Sequence, residues 1–261
     1  MLSLGYDIGS SSIKCAILDC EGGKLIAQGS YPDEEMAISA PQPGWAEQDP
    51  DMWWQYVIVL TQRLLRENKI EPASIKAIGV SYQMHGLVLV DKQQQVLRPS
   101  IIWCDSRAVE IGNAAFKSLG PDFCLQHMLN SPGNFTASKL RWVKEHEPEV
   151  FKKIHKAMLP GDFIAMRLTG EIRTTLSGLS EGIYWDFKKN AVSSELLRYY
   201  KIDEEFLPAA CPTFSVQGQL TKAAAEQLGL REGTAVAYRA GDQPNNAFSL
   251  NVLNPGEVAA T

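Results

Sequence analysis

Asp7 closes an alternating run, Leu2-Ser3-Leu4-Gly5-Tyr6-Asp7-Ile8, and is followed by Gly9, Ser10, Ser11, Ser12 and then Lys14. A carboxylate, a short stretch rich in N–H and hydroxyl donors, and an amine are equipment for holding phosphate and a divalent cation. Several backbone donors converging in a tight turn cradle phosphate oxygens. Asp7 suits Mg²⁺, which takes one or two carboxylates and keeps much of its water. Lys14 can reach a terminal phosphate or lie solvated along a strand. The chain has no G-x-x-x-x-G-K-[ST], so this would not be a P-loop. An ordinary hairpin with a solvated aspartate has the same sequence, so the motif alone leaves both readings open.

Other polar clusters fall where apolar runs stop. They are Gln83-Met84-His85-Gly86, the stretch Trp103-Cys104-Asp105-Ser106-Arg107, and Gly241-Asp242. Each has a bland reading. Asp242 before Gln243-Pro244 is a serviceable helix N-cap, Met84 a core residue, and His85 a turn histidine. His127, His146, His155 and Arg107 default to structural roles.

The elements that must position these groups are legible in the periodicity. Leu2, Leu4, Tyr6 and Ile8 share one face of a strand, leaving small side chains on the other. Ile13, Cys15 and Ile17 mark the returning strand of a hairpin, and residues 24–31 extend the meander. Asp49 caps a helix with Pro50 at its first position, and Trp53, Tyr56, Val57, Leu60, Leu64 and Leu65 follow at helical spacing. The tryptophan pair 53–54 reads as core packing. Residues 75–83 form an apolar strand near the sheet centre, with shorter strands at 87–90 and 99–103. Helices are expected at 106–119, at 138–154 with an interruption at Pro148, at 162–168 up to Gly170, at 195–200 and at 222–228. Residues 171–193 read as loop and short strand, 234–240 as a strand, and Gly241-Asp242 as the opening of a last helix. A meander followed by alternating helix and strand is an α/β domain, in which ligands collect at strand ends.

Bulk properties narrow the field. The chain has 261 residues, 45% of them hydrophobic, enough for one large domain or two small ones. A net charge of −5 with no basic run argues against nucleic acid or an anionic membrane as partner. Five scattered cysteines without a C-x-x-C pair point to reduced thiols rather than a disulfide framework or zinc site. The N-terminus enters a strand directly and no apolar run reaches membrane-spanning length, so the expected location is cytoplasmic.

Taken in order, these stretches resemble the N-terminal half of the FGGY family of carbohydrate kinases. The resemblance runs through Asp7-Ile8-Gly9-Ser10-Ser11, Gly44-Trp45-Ala46-Glu47-Gln48-Asp49-Pro50 with Trp53-Trp54, and Gln83-Met84-His85-Gly86. It continues through Leu97-Arg98-Pro99 to Trp103, Asp105 and Arg107, Phe135-Thr136-Ala137-Ser138-Lys139-Leu140-Arg141-Trp142, and Gly241-Asp242. It implies an actin/hexokinase/Hsp70-like, ribonuclease H-like fold: a mixed sheet whose three-strand antiparallel meander precedes parallel strands and helices.

The resemblance also implies ATP- and Mg²⁺-dependent phosphorylation of a sugar hydroxyl. D-xylulose is preferred over ribulose, fuculose or gluconate, and the absence of an Arg-Glu pair beside Gln83 argues against glycerol. Asp242 would accept the proton of the attacking hydroxyl. Asp7, with the turn of Gly9, Ser10, Ser11 and Ser12 and with Lys14, would serve Mg²⁺ and the terminal phosphates. Met84, His85, Gly86, Trp103 and Asp105 would meet the sugar. Cys104, Asn134 and the run Gln243-Pro244-Asn245 depart from the usual family residues. Residues 1–241 would form the sugar-binding domain and 242–261 would open an ATP-binding domain whose remainder is absent. On that expectation the chain folds and binds sugar weakly without turning it over, and a homodimer of a full-length parent stays open. A second class of reading is an actin-like nucleotide-binding module without sugar chemistry.

Overall fold

A computed structural model describes residues 1–259; Ala260 and Thr261, the end of the Pro255 run and of the expected second domain's opening, lie outside the described residues. The central sheet has six strands: β1 (Leu2–Ile8), β2 (Ile13–Asp19), β3 (Lys24–Tyr31), β4 (Ile75–Tyr82), β5 (Phe214–Gln219) and β6 (Ala235–Gly241). Their spatial order is β5-β6-β4-β1-β2-β3. The meander β1-β2-β3 is antiparallel, β1, β4 and β6 are mutually parallel, and β5 pairs antiparallel with β6 at the edge.

This register positions the site. Ile8 stands opposite Tyr82, and Tyr82 opposite Gly241, so three parallel strands end in line. Whatever follows them (Gly9, Gln83 and Asp242) emerges at one edge of the sheet, where an α/β sheet offers its ligand crevice.

One sheet face carries Leu4, Tyr6, Ile8, Ile13, Ile17, Ile78, Val80 and Tyr82, all buried. It is covered by helix α1 (Pro50–Glu67) and by residues of the helices that follow. Those helices are α2 (Val109–Leu119), α3 (Thr136–His146), α4 (Pro160–Thr169), α5 (Leu176–Glu181), α6 (Ser194–Tyr200), α7 (Lys222–Leu228) and α8 (Asp242–Ser249). Trp53, Leu60 and Leu64 of α1, Phe163 and Leu168 of α4 and Leu228 of α7 share that core. Helix α1 starts as its sequence dictates: Asp49 accepts from the Asp51 N–H and Pro50 is the first helical residue. A second core unites Leu89, Ile101, Ala115, Leu140, Val143, Leu196 and Tyr200, largely from α2, α3 and α6.

Several expectations change at their edges. The strand expected over 99–103 shrinks to Ser100–Ile101, paired with Glu47–Gln48. Helix α2 begins at Val109 rather than at 106 because Asp105 binds the Arg107 N–H in a local turn. The helix expected over 138–154 divides at Glu147-Pro148, as proline requires. Two elements escape the sequence pattern. Helix α5 lies inside the stretch expected to be loop and strand. Strand β5 inverts the usual alternation, with Phe214 and Val216 exposed and Gln217 buried.

Among the described residues no helix is long and apolar enough to cross a membrane.

Candidate active site

A crevice of about 220 Å³ opens at the aligned strand ends, lined by Asp7, Gly9, Ser10, Ser11, Ser12, Lys14, Gln83, Trp103 and Asp242. Two carboxylates far apart in sequence thus face one hollow. Its volume is below the roughly 300–1,000 Å³ that encloses a ligand, so the crevice is suited to gripping part of one. A larger hollow of about 670 Å³ lies along the open sheet face over Gly5, Gly79 and Tyr238, and shares only Asp7 and Lys14 with the crevice. The smaller one gathers the convergent polar groups and is the better candidate for chemistry.

The turn after β1 is braced from behind. The Gly9 N–H donates to the Ser12 carbonyl and the Met36 N–H to the Ser11 carbonyl. Gln48 Nε2 donates to the Ser10 carbonyl at 2.7 Å, while Trp53 Nε1 donates to Gln48 Oε1 at 3.1 Å. With its carbonyls engaged, the turn leaves the N–H groups of Ser10, Ser11 and Ser12 without an acceptor among the described residues. Such an arrangement of amides suits an anion. A Cβ on Gly9 would stand 2.9 Å from the Ser12 carbonyl oxygen, so the turn's tightness requires glycine. The stretch Ala46-Glu47-Gln48-Asp49-Pro50 is therefore a strap: one end starts α1, the other supports this turn.

Lys14 Nζ lies 3.2 Å from Asp7 Oδ2, the two facing each other across the β1–β2 pair. Asp242 starts α8, and its Oδ1 accepts from the Gln243 N–H at 2.7 Å. Partial burial raises the Asp242 carboxyl above the ordinary range, and the nearby Asp7 charge raises it further. Trp103 is 53% exposed, with Nε1 donating to Ser10 Oγ at 3.2 Å. Gln83 Oε1 is buried with no partner, while its Nε2 reaches the Gly9 carbonyl at 3.4 Å.

The remaining expected residues lie outside the crevice wall. His85 holds a left-handed backbone, φ +61°. Its Nδ1 is 3.1 Å from the Glu181 carbonyl, which can only accept, so Nδ1 carries the proton and Nε2 is left as an acceptor. Burial lowers this imidazole to about 4, keeping it neutral near pH 7. Met84 packs against Gly241: a Cβ there would meet Met84 Cγ at 2.5 Å. Gly86 serves packing, since a Cβ would stand 2.6 Å from Pro160 Cγ. Asp105, expected to line a sugar pocket, sits behind the wall instead. It is fully buried, accepts from the Ala46 N–H and is clasped by the Arg107 guanidinium, which stacks over Trp45. That pairing fastens the strap and leaves the carboxylate closed to a ligand.

Two buried ionisable groups behind the site are not among the residues expected from the sequence. Lys139 Nζ donates to the carbonyls of His85 and Ile102, at 2.8 and 2.9 Å, tying the loop after β4 to the one carrying Trp103. Burial lowers its ammonium to about 7, against the opposing pull of Asp105. Glu181, at the end of α5, accepts from Tyr82 Oη and from the His85 N–H. The signal for Lys139 is its place in the Phe135–Trp142 motif; Glu181 has none, because its helix shows no sequence period.

Among the described residues no group of three or more His, Cys, Asp or Glu side chains is arranged to hold a metal. A single carboxylate beside a donor-rich turn still fits Mg²⁺, which retains water and shares the oxygens of a bound phosphate.

The family model for the N-terminal domain of the FGGY family of carbohydrate kinases matches residues 2–249. The xylulose kinase of Escherichia coli is 32% identical over 255 residues, which is 98% of this chain and 51% of that protein. The Bacillus subtilis xylulose kinase is 31% identical over 262 residues, 98% of this chain and 50% of that one. The structure of the Rhodospirillum rubrum xylulose kinase superposes with a TM-score of 0.89 at 29% identity, covering 98% of this chain and 52% of the other. The chain spans about half the length of the curated relatives it matches.

Proposed function

The chain belongs to the FGGY family of carbohydrate kinases, and from that premise we propose that it is the sugar-binding half of an ATP-dependent kinase acting on D-xylulose to give D-xylulose 5-phosphate. The observation that carries the reading is the shared crevice of Asp7 and Asp242 beside the serine turn. Two relatives with about half their length matched are xylulose kinases, which favours a pentulose acceptor. The sugar-binding domain is assigned to residues 1–241, with Asp242 opening the next.

In this reading Asp242 accepts the proton of the attacking sugar hydroxyl. A base must first lie within hydrogen-bond reach of that proton; a raised pKa then improves it, and burial with the Asp7 charge supplies one. ATP would supply the phosphoryl group and Mg²⁺ would neutralise its phosphate charge; Asp7 and the N–H groups of Ser10, Ser11 and Ser12 are the residues to hold them, with Lys14 at the rim. Phosphoryl transfer is governed by alignment and charge neutralisation, and these residues are built for both. Neutral His85 offers Nε2 as acceptor to a sugar hydroxyl, while Trp103 and Met84 give it apolar surface.

Titration calorimetry of the chain with D-xylulose, D-ribulose, L-fuculose and D-gluconate tests the acceptor. Heat with D-xylulose above the others is expected. No heat with any of the four, together with tight ATP binding, would replace the reading with a nucleotide-binding module lacking sugar chemistry.

A further inference from the structure

Glu181 grips His85 at two points. Its side-chain Oε1 accepts from the His85 N–H at 2.9 Å, and its own carbonyl lies 3.1 Å from His85 Nδ1. The first contact pins a backbone that a non-glycine residue rarely adopts, φ +61°. The second selects the tautomer. Phe135 closes the ring's other side in an edge contact with centroids 4.5 Å apart. The same carboxyl reaches the base's strand. A Cβ on Gly241 would stand 2.9 Å from Glu181 Oε2, so the carboxyl packs directly against the residue before Asp242. Its other partner is Tyr82 Oη at 2.9 Å, from the last residue of β4.

Burying a carboxyl is costly unless its lone pairs are used. Filling this space would need only an apolar side chain, whereas holding a left-handed amide needs an acceptor. We propose that Glu181 is a positioning residue that sets the conformation and tautomer of His85 for sugar recognition and aligns that loop with the strand end carrying Asp242. The part concerning sugar rests on the function proposed above; the part concerning His85 does not. The charged and titratable groups facing Glu181 are Tyr82 from β4, His85 from the loop after it, Lys139 from α3, Asp162 from α4 and Asp242 from α8.

The test is ¹⁵N NMR of the His85 ring with calorimetry on D-xylulose, for the parent chain and for Glu181→Gln, Glu181→Asp and Glu181→Ala. The parent should show a single Nδ1–H tautomer. Gln keeps an acceptor of the same reach and should preserve it. Asp keeps the charge but is one methylene too short, and Ala lacks the acceptor. Both should give mixed tautomers, a His85 pKa rising from about 4 toward 6.5, and D-xylulose affinity lower by about tenfold, the worth of one buried hydrogen bond. Asp alone suffices should Ala not fold. A parent ring protonated at Nε2, or ring shifts unchanged in Asp, would overturn the proposal. Absence of xylulose binding by the parent would overturn the functional reading, and the ring shifts would then decide by themselves whether Glu181 sets His85.

Discussion

Replacing Gly161 by Ala adds one methyl group where the structure has no room for it. Gly161 lies in the first turn of α4, above the ring of Tyr82. A Cβ there would stand 2.0 Å from Tyr82 Cδ1, 2.4 Å from Cε1 and 2.6 Å from Cγ. Carbon atoms pack at about 3.5–4.0 Å, so helix and ring must part by roughly 1.5 Å. Tyr82 cannot yield easily. It is fully buried, its strand is paired with β1 on one side and β6 on the other, and its hydroxyl is bound to Glu181. The helix is anchored in turn, since Asp162 lies 2.9 Å from Arg239 Nε of β6. Overpacking of this kind costs about 1–3 kcal/mol, and the immobility on both sides argues for the upper end. The helix preference of Ala over Gly returns up to about 1 kcal/mol, leaving a net loss near 2 kcal/mol. Urea unfolding reads this as a lower midpoint with unchanged slope. The His85 amide resonance should shift as well, because Tyr82 and His85 share the Glu181 carboxyl. A variant as stable as the parent would refute the packing argument.

Other outcomes follow from the same coordinates. Arg239→Met leaves Asp162 buried without its cation, and breaking a buried pair from one side costs about 3–5 kcal/mol; the double change with Asp162→Leu should recover much of the loss in the same urea experiment. Asp49→Ala removes the α1 cap and should cost about 1 kcal/mol, with a matching fall in melting temperature. Burial raises Glu181 to about 8 from its ordinary 4.5, so the unfolded chain ionises across that window while the folded chain holds its proton. Stability therefore falls as pH rises from 4.5 to 8; in Glu181→Gln that component should vanish, and urea midpoints at pH 5 and pH 8 measure it. In an ADP-release assay of a kinase carrying this sequence, Asp242→Ala should lower turnover by about 10²–10⁴-fold, the usual worth of a general base, with sugar affinity changing less; retained turnover would remove Asp242 from that role.

What the sequence determined by itself is local. The hairpin of β1 and β2 follows from strict alternation, and helix α1 from Asp49-Pro50 with a periodic apolar stripe, because such signals depend on near neighbours in the chain. The candidate residues Asp7, the serine turn and Asp242 are visible as polar groups at the ends of apolar runs. What the tertiary structure decided is which of these groups meet and in what state. The parallel register of β1, β4 and β6 sets Gly9, Gln83 and Asp242 on one edge, and register is a property of pairing between segments far apart in sequence. Asp105 reads in the sequence as a pocket residue, yet Arg107 and the Ala46 N–H close it off, since a buried charge takes whatever partner the fold supplies. Helix α5 is hidden in the sequence because Leu-Ser-Gly-Leu-Ser-Glu is too short and too polar to show a helical period. Strand β5 is hidden because its apolar residues point outward. Glu181 belongs to that second group: a glutamate at the end of a six-residue helix carries no mark of its role until the chain has brought Tyr82, His85 and Gly241 around it.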